Sequence, residues 1–205
     1  MTSQPTVDTL KKMHFSAMAR ELENQLSDPD TYNSLGFEER IGLLVDAEWN
    51  RRQANKLAKC IRDAGFSASN ACIEEIEYHP DRKLDKAHLT RFSTCKYIDD
   101  GRHIILSGAC GSGKTYIACA LGNAACRKFK KVRYVRLPEL LEELNVAKGT
   151  GEFRKTIAYY LKLDLLILDE WLIRPLEAQE SYNLLEIVEA RIKSQKGSMI
   201  FCSQY

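Results

Sequence analysis

The chain has 205 residues, 44% of them hydrophobic and 28% charged, with a formal net charge of +2. These values are ordinary for a globular protein, and only local clusters of cations bear on nucleic-acid binding when the net charge is so small. No apolar stretch is long enough to span a bilayer, and the N-terminus lacks a signal-peptide pattern, so no membrane partner is expected. The seven cysteines form no C-x-x-C pair or metal-ligand spacing, which predicts reduced thiols in a cytoplasmic protein.

Residues 1–66 predict a helical N-terminal domain built from two helices. From Thr6 to Leu26, apolar residues recur every three or four positions and form one stripe. We assign His14 to that stripe, because no metal ligand or catalytic partner lies near it in the sequence. The second helix is predicted from Phe37 to Ala64, and Gly65 is a typical stop signal.

The second helix carries a segment, residues 51–62, with five basic residues and no acidic one. Cations spaced along a rigid helix suit a phosphate backbone, because each contact releases condensed counterions. A solvated helix face is the alternative, and most charge runs are of that kind. The candidate DNA-contacting residues are Arg51, Arg52, Lys56, Lys59 and Arg62.

Residues 67–84 have a weaker pattern and are interpreted as a linker between two domains. Residues 72–78 fit either a short helical turn or an extended piece, which ends at His79-Pro80 because the residue before proline avoids helical geometry. His79 and Asp81 fit a turn better than a functional site. The second domain, residues 85–205, begins with a helix that Asp85 caps and that runs to about Asp99.

A phosphate-binding loop is predicted at residues 108–115, which match the pattern G-x-x-x-x-G-K-[ST]. An apolar strand, residues 103–107, precedes the loop, and a helix from Tyr116 to Lys128 follows it, so a chance glycine-rich turn is a poor alternative. Lys114 is expected to reach the β- and γ-phosphates of a nucleotide, and the Thr115 hydroxyl is expected to bind Mg²⁺. The predicted nucleotide-contacting residues are Gly108, Ala109, Cys110, Gly111, Ser112, Gly113, Lys114, Thr115 and Tyr116.

The remaining elements alternate between strands and helices. Strands are predicted at residues 132–136, 164–170 and 198–202, with helices at 137–147, 153–161 and 176–193 between them. The last helix is expected to point Leu184, Leu185, Val188 and Ile192 inward. This alternation predicts an α/β fold, a parallel sheet flanked by helices, of the P-loop NTPase type.

Two carboxylates end the continuous apolar strand at residues 164–170, which is typical of a central parallel strand. Open α/β sheets place their sites at the carboxyl ends of strands. Asp169 is therefore expected to anchor Mg²⁺, and Glu170 is expected to orient and polarise an attacking water. An acidic strand end without function is the alternative, and the upstream phosphate loop argues against it.

Several segments together resemble the IstB family of AAA+ helper ATPases from bacterial insertion sequences, which are relatives of the DnaC-type helicase loaders. The resemblance covers nearly the whole chain, and it rests on residues 44–49 (LVDAEW), 76–82 (IEYHPDR), 111–122 (GSGKTYIACALG), 136–141 (RLPELL), 166–171 (LILDEW) and 202–205 (CSQY).

The resemblance implies roles for residues that match the family's motifs. Lys114 and Thr115 match Walker A, Asp169 and Glu170 match Walker B, and Ser203 falls at the sensor-1 position, with Gln204 beside it. It also implies ATP and Mg²⁺ as cofactors, a homo-oligomer assembled on duplex DNA, and a cognate transposase as partner. The helical front of the family takes part in assembly and DNA engagement.

Family members continue past residue 205 with a fifth strand, a helical lid, an arginine finger and a sensor-2 arginine, so the resemblance implies a truncated chain that lacks the lid. Arg174 and Arg191 do not match the finger position and are interpreted as structural or surface residues. The AAA+ strand order, 5-1-4-3-2, makes the strand at residues 103–107 an exposed edge here.

Three functions remain open at this point. The favoured one is an ATP-dependent helper that assembles on duplex DNA and assists a transposase. A loader of a replicative helicase shares the same ATPase core. A nucleotide-binding scaffold with little turnover is the third, since the expected arginine finger lies outside these residues. The adjacent acidic pair and the helical front argue against a small-molecule kinase.

Overall fold

The computed structural model describes residues 4–78, 84–194 and 196–204. The chain divides into two compact units, Met1–Ala58 and Lys59–Tyr205. The division falls before the predicted boundary at residue 66, within a helix that was expected to end the first domain. Among the described residues, no helix has both the length and the apolarity needed to cross a membrane.

Helices alone form the described part of the first unit. They are α1 (Gln4–Lys12), α2 (Ser16–Ser27), α3 (Pro29–Tyr32) and α4 (Phe37–Ala64), the last of which has the predicted bounds and continues past residue 58. Val7 and Ala19 are buried, as is the amide of Gln25, which donates to the Arg40 carbonyl oxygen at 3.0 Å.

The prediction of a single helix from Thr6 to Leu26 is wrong, because α1 ends at Lys12 and a separate helix, α2, begins at Ser16. His14 has a left-handed φ of 63°, which ends α1, and its side chain is exposed instead of lying in the apolar stripe. The Phe15 amide still donates to the Leu10 carbonyl oxygen at 2.9 Å, a capping bond that closes the end of α1.

The second unit is built on a parallel four-stranded sheet, with strand order β1-β4-β3-β2. The strands are β1 (Ile104–Ser107), β2 (Val132–Arg136), β3 (Leu165–Trp171) and β4 (Ser198–Ser203). Four of the five positions in the expected AAA+ strand order are therefore confirmed. The central strands β3 and β4 carry the core, whereas the edge strand β1 leaves the Ile105 side chain 71% exposed.

Helices precede, separate and connect the strands of this sheet in the sequence. They are α5 (Lys86–Ser93), α6 (Lys96–Asp99), α7 (Lys114–Arg127), α8 (Leu137–Gly149), α9 (Phe153–Leu161) and α10 (Ala178–Ser194). The Asp85 cap is confirmed, since its carboxylate accepts from the Ala87 amide at 2.7 Å. The predicted helix to Asp99 is wrong, because buried Cys95 takes a left-handed φ of 60° and separates α5 from α6. The strand β3 also includes Trp171, one residue past the predicted end of that strand at residue 170.

Helix α10 buries a different face from the one predicted. Leu184 is buried as expected, but Leu185 and Ile192 are each about half exposed, and Ile187 and Arg191 lie inside instead. Arg191 is only 1% exposed, and its guanidinium donates to the carbonyl oxygens of Tyr160, Leu163 and Ser198 at 2.6 to 3.0 Å. These bonds join the end of α9 to the start of β4, which confirms a structural role, and burial lowers the Arg191 pKa to about 10.

The described part of the predicted linker packs against α7 and does not form a free connection. The Asn123 side-chain amide donates to the carbonyl oxygens of Ser69 and Ala71, both at 2.9 Å. Gly122 has no side chain here because a Cβ would lie 2.4 Å from the Phe66 ring. Residues 73–75 form a short 3₁₀ turn, one of the two predicted alternatives. The predicted turn at His79-Pro80, and Asp81 after it, lie outside the described residues.

Candidate functional site

The phosphate loop connects the end of β1 to the start of α7 in the predicted position. Its backbone needs left-handed conformations at Gly111 (φ 77°) and Gly113 (φ 88°), which residues with a Cβ rarely adopt. Gly113 caps α7, so the first helical residue is Lys114. The free N–H groups of that first turn and the helix dipole favour an anion at this end of the helix.

Lys114 lies folded over the loop that precedes it. Its ammonium donates to the carbonyl oxygens of Gly108 and Ala109, both at 2.7 Å. The ammonium is therefore held against the backbone carbonyl groups at the start of the loop. A long, flexible cation in this position can change from carbonyl oxygens to phosphate oxygens, which form stronger, charge-assisted hydrogen bonds.

Asp169 is where the polar groups of three elements meet. Its Oδ2 accepts from the Thr115 hydroxyl at 2.7 Å and from the Tyr134 hydroxyl at 2.8 Å, and its Oδ1 accepts from the Glu170 amide at 2.8 Å. Asp169 is only 6% exposed, so these bonds satisfy a carboxylate that burial would otherwise penalise. Burial and the bond to Asp169 raise the pKa of Tyr134, which therefore keeps its donor proton.

Glu170 sits on a distorted end of β3. Its backbone has a left-handed φ of 54°, and the pairing of β3 with β4 is irregular between Leu168 and Trp171. A guanidinium nitrogen of Arg136 lies 3.6 Å from the Glu170 carboxylate, and the same guanidinium bonds Glu139 at 2.6 Å. Because of this irregular backbone, the Glu170 side chain is only partly buried, unlike Leu165–Asp169 before it, and it lies near Arg136 at the end of β2.

These groups surround one cleft of about 430 Å³ at the carboxyl edge of the sheet. The cleft is lined by Ser67, Cys110, Gly111, Gly113, Lys114, Thr115, Tyr134, Arg136, Asp169, Glu170, Cys202 and Gln204. Ser203 is buried outside this lining, and its hydroxyl donates to the Trp171 carbonyl oxygen at 3.5 Å. Its neighbour Gln204 reaches the cleft.

A second cavity of about 510 Å³ is lined by residues of β1 and of the loop, among them Gly108, Ala109 and Ser112, and it shares Lys114 with the first cleft. Tyr116 has a different setting from the rest of the predicted nucleotide-contacting set. Its hydroxyl donates to the Glu75 carboxylate at 3.1 Å and accepts from the Cys72 amide at 3.3 Å. The side chain of Tyr116 therefore packs on residues 72–75.

The five candidate DNA-contacting cations lie along α4 but differ in their surroundings. Arg51 and Arg52 both bind the buried Glu48 carboxylate, at 2.6 and 2.8 Å. Arg51 also donates to the His14 carbonyl oxygen at 3.0 Å, and Arg52 lies 4.8 Å from the centre of the Phe15 ring. The other three, Lys56, Lys59 and Arg62, have exposed side chains.

Sequence reasoning missed Tyr134, Arg136 and Ser67 as parts of the cleft. Arg136 pairs in register with Asp169, and Tyr134 lies two residues earlier on the same face of β2. A predicted strand order with β2 beside β3 was sufficient to find both residues, because parallel neighbours end at the same edge of the sheet. Ser67 carried no such signal, since it lies in the stretch interpreted as a linker.

Comparisons with known proteins agree with this geometry. A family model described as IstB-like ATP binding protein matches residues 8–205. The chain is 37% identical over 204 residues to a Pseudomonas fluorescens protein named as a putative ATP-binding protein of insertion sequence IS1162, covering 100% of this chain and 87% of that protein.

Two solved structures share the fold at low sequence identity. The DnaC helicase loader superposes with a TM-score of 0.60 at 18% identity, covering 66% of this chain and 78% of that one. DnaA from Aquifex aeolicus, bound to AMPPCP, superposes with a TM-score of 0.58 at 19% identity, covering 66% of this chain but only 42% of the DnaA chain. The second unit therefore has the AAA+ P-loop NTPase fold, preceded by a helical front.

Proposed function

The chain belongs to the family of IstB-like ATP-binding proteins, and from that premise we propose that it binds and hydrolyses ATP with Mg²⁺ while assisting a transposase on DNA. One observation carries the proposal: the Thr115 hydroxyl lies 2.7 Å from the Asp169 carboxylate, although the two residues are 54 positions apart. This contact brings the two halves of a nucleotide site, the phosphate loop and the acidic strand end, to one cleft.

The residues present fit a nucleoside triphosphate. The first turn of α7 offers free N–H groups for the β-phosphate, and Lys114 supplies a mobile cation at the loop. Left-handed glycines let the backbone curve around the phosphate without a side chain in the way. The cleft of about 430 Å³ is within the usual range of small-molecule sites.

The residues also fit Mg²⁺, which prefers hard oxygen ligands and is commonly held by one or two protein groups together with phosphates. Thr115 and Asp169 supply a hydroxyl and a carboxylate that already lie side by side. Tyr134 holds the Asp169 carboxylate in place from β2. When bound, the ion would neutralise charge on the phosphate oxygens during transfer.

Glu170 is the proposed group that orients and polarises the attacking water. Its carboxylate is about one-third exposed at the cleft and is held by one cation, Arg136, at 3.6 Å. That distance is long for a hydrogen-bonded ion pair, so Arg136 positions the carboxylate while leaving its oxygens able to accept from a water. Glu170 would then take up the proton that the water loses.

The DNA and transposase parts of the proposal rest on the relatives' association with insertion sequences. We propose that the chain assembles as a homo-oligomer on duplex DNA, in the cytoplasm, and that α4 contributes cations to the DNA contact. Phosphate contacts of that kind position a protein on DNA without reading its sequence.

The deciding experiment measures ATP hydrolysis by the purified chain with Mg²⁺, with and without duplex DNA, for the wild type and Glu170→Gln. We expect DNA to stimulate turnover, and we expect the variant to bind ATP normally but to turn over about a hundredfold more slowly. Glu142→Gln, an exposed carboxylate on α8, is the matched control and should behave as wild type.

Two outcomes would replace the proposal. Nucleotide binding without turnover, at any DNA concentration, would make this chain a nucleotide-dependent scaffold. A pull-down with the cognate transposase and with a replicative helicase distinguishes a transposase helper from a helicase loader. Retention of the helicase alone would indicate a helicase loader.

A further inference from the structure

A separate cavity of about 230 Å³ lies in the second unit, beside α5 and α6. Arg102, which precedes β1, helps to line it, whereas the phosphate loop follows the other end of the same strand. The four residues of β1, which span about 13 Å, lie between Arg102 and the loop. The lining residues are His88, Arg91, Phe92, Thr94, Lys96, Tyr97, Asp100 and Arg102.

The charge at this cavity is positive. The lining holds three cations, Arg91, Lys96 and Arg102, and one carboxylate, Asp100, which lies 3.9 Å from Arg102 in an exposed pair. A second carboxylate, Asp85, lies 3.3 Å from the His88 ring. Across residues 4–78, 84–194 and 196–204, neither Arg91 nor Lys96 forms an ion pair. A further cation stands at the rim, because the Lys128 ammonium donates to the Thr94 carbonyl oxygen at 2.5 Å.

Aromatic rings form the wall between these cations. The rings of Phe92 and Tyr97 meet edge to face, with centroids 5.7 Å apart, and the His88 ring lies near Phe92 at 6.4 Å with a tilt of 30°. The left-handed turn at Cys95 allows this grouping, because it ends α5 and starts α6 in a new direction. The side chain of His88 is 70% exposed, so the edge of the aromatic group is open to a ligand.

Tyr97 adds an independent observation. Its side chain is buried, being only 6% exposed, and its hydroxyl has no hydrogen-bond partner within the part of the chain that the structure describes. Buried hydroxyls without a partner are rare in native proteins and call for an explanation. The hydroxyl itself is enclosed by protein, so a polar ligand group would satisfy it only once the Tyr97 ring turns towards the cavity.

We propose that this cavity binds a nucleotide unit of single-stranded DNA, with its phosphate on the cations and its base against the aromatic wall. Cations beside open aromatic rings are the recurring design of single-strand binding, since every base has a face that stacks. Duplex DNA fits less well, because its base faces are covered by their neighbours. This inference rests on the proposed function only in assuming that the protein works on DNA.

The test measures binding of a fluorescent oligothymidylate of about 15 nucleotides to the full chain by anisotropy, over a series of salt concentrations. The triple variant R91A/K96A/R102A should bind at least about tenfold more weakly, and its salt slope should fall by about 0.7 for each phosphate that no longer meets a cation. The matched control R154A/K155A/K162A removes three cations on and just after α9 and should leave both quantities unchanged.

A second pair of variants tests the aromatic wall with little change of volume. Phe92→Leu should weaken binding about fivefold, whereas Phe92→Tyr should keep it, because only the latter retains a ring on which a base can stack. Thermal melting of each variant identifies any loss that comes from unfolding.

Three results would overturn the inference. The first is equal weakening by the triple variant and its α9 control, and the second is binding of duplex but not of single strands. The third is competition by free thymidine monophosphate as strong as by the oligonucleotide, which would make the ligand a free nucleotide. ATP hydrolysis measured on the same samples keeps this test separate from the proposed function, because Lys114→Ala should weaken ATP binding about a hundredfold or more and leave single-strand binding intact without nucleotide.

Discussion

Two regions of this molecule, the cleft of the second unit and helix α4, bring polar and charged residues together in different ways. In the second unit, Lys114 and Thr115 of α7, Tyr134 of β2 and Asp169 of β3 come from three elements and meet in one cleft. In α4, the basic residues are neighbours in sequence, and Arg51 and Arg52 serve the buried Glu48 of their own helix.

The difference lies in what brings the residues together. The sheet brings the hydroxyls of Tyr134 and Thr115, which are 35 and 54 positions away in sequence, to the Asp169 carboxylate. Burying apolar side chains would stabilise the sheet without such a polar cluster. A helix places charges side by side through its periodicity alone. Convergence over long sequence separations is therefore stronger evidence of a site than a local run of charge.

The largest effect is expected from Lys114→Ala, which removes the cation at the loop. ATP affinity should fall by about a hundredfold or more, because charge-assisted hydrogen bonds contribute about 1.5 to 3 kcal/mol each. Fluorescent nucleotide titration measures this, with Lys155→Ala as a control for the loss of one exposed cation. Retained affinity would mean that the loop does not bind phosphate.

The next effect separates the cations of α4 into two groups. Neutralising Lys56, Lys59 and Arg62 together should weaken duplex DNA binding about tenfold and reduce the salt slope by up to about 2.7, at about 0.9 for each phosphate that no longer meets a cation. Neutralising Arg51 and Arg52 should instead destabilise the first unit by about 1 to 3 kcal/mol, because Glu48 loses both charged partners.

Duplex anisotropy and chemical denaturation, measured on both α4 variants, distinguish these effects. If the two variants lose DNA affinity equally without a change in stability, all five cations contact DNA. If neither variant changes the salt slope, the basic segment is a solvated face.

A smaller effect concerns acid stability. The hydrogen bond from Arg51, supported by Arg52 and the Ala17 amide, lowers the pKa of Glu48 to about 2 from an ordinary value of 4.5. The charged form is thus favoured in the folded state, and its contribution is complete above about pH 4.5 and is lost as the pH falls towards 2.

Denaturation at several pH values should therefore find Glu48→Gln less stable than wild type at neutral pH, with the difference vanishing near pH 2. Glu180→Gln is the counterpart in the second unit, where the bond from Arg174 lowers the pKa of Glu180 to about 2. A difference between Glu48→Gln and wild type that is independent of pH would assign the loss to packing.

The smallest effect is expected from Tyr134→Phe, which removes one of the three bonds to Asp169. The affinity for Mg²⁺-ATP should fall a few-fold, since one hydrogen bond contributes about 0.5 to 1.5 kcal/mol. The free energy of unfolding should change by a similar amount. An unchanged affinity for the metal–nucleotide complex would show that Thr115 and the Glu170 amide hold Asp169 without Tyr134.

Much of the fold followed from local pattern. The bounds of β2 and α4 agree with the prediction, and those of β1, β3 and β4 differ from it by one residue at one or both ends. The misses have a common cause, because His14 and Cys95 take left-handed conformations that periodicity does not signal. On α10, the buried cation Arg191 rotated the inward face away from Leu185 and Ile192.

The sequence by itself determined the phosphate loop, the acidic strand end and the α/β alternation, because each depends on residue types at short, fixed spacings. Only the tertiary structure decided which groups surround them. Arg136 approaches Glu170 and Tyr134 approaches Asp169 because β2 lies beside β3 in a fixed register. Register is set by the packing of whole strands. The motifs therefore identify Lys114, Thr115, Asp169 and Glu170, whereas the pairing of β2 with β3 determines that Tyr134 and Arg136 contact them.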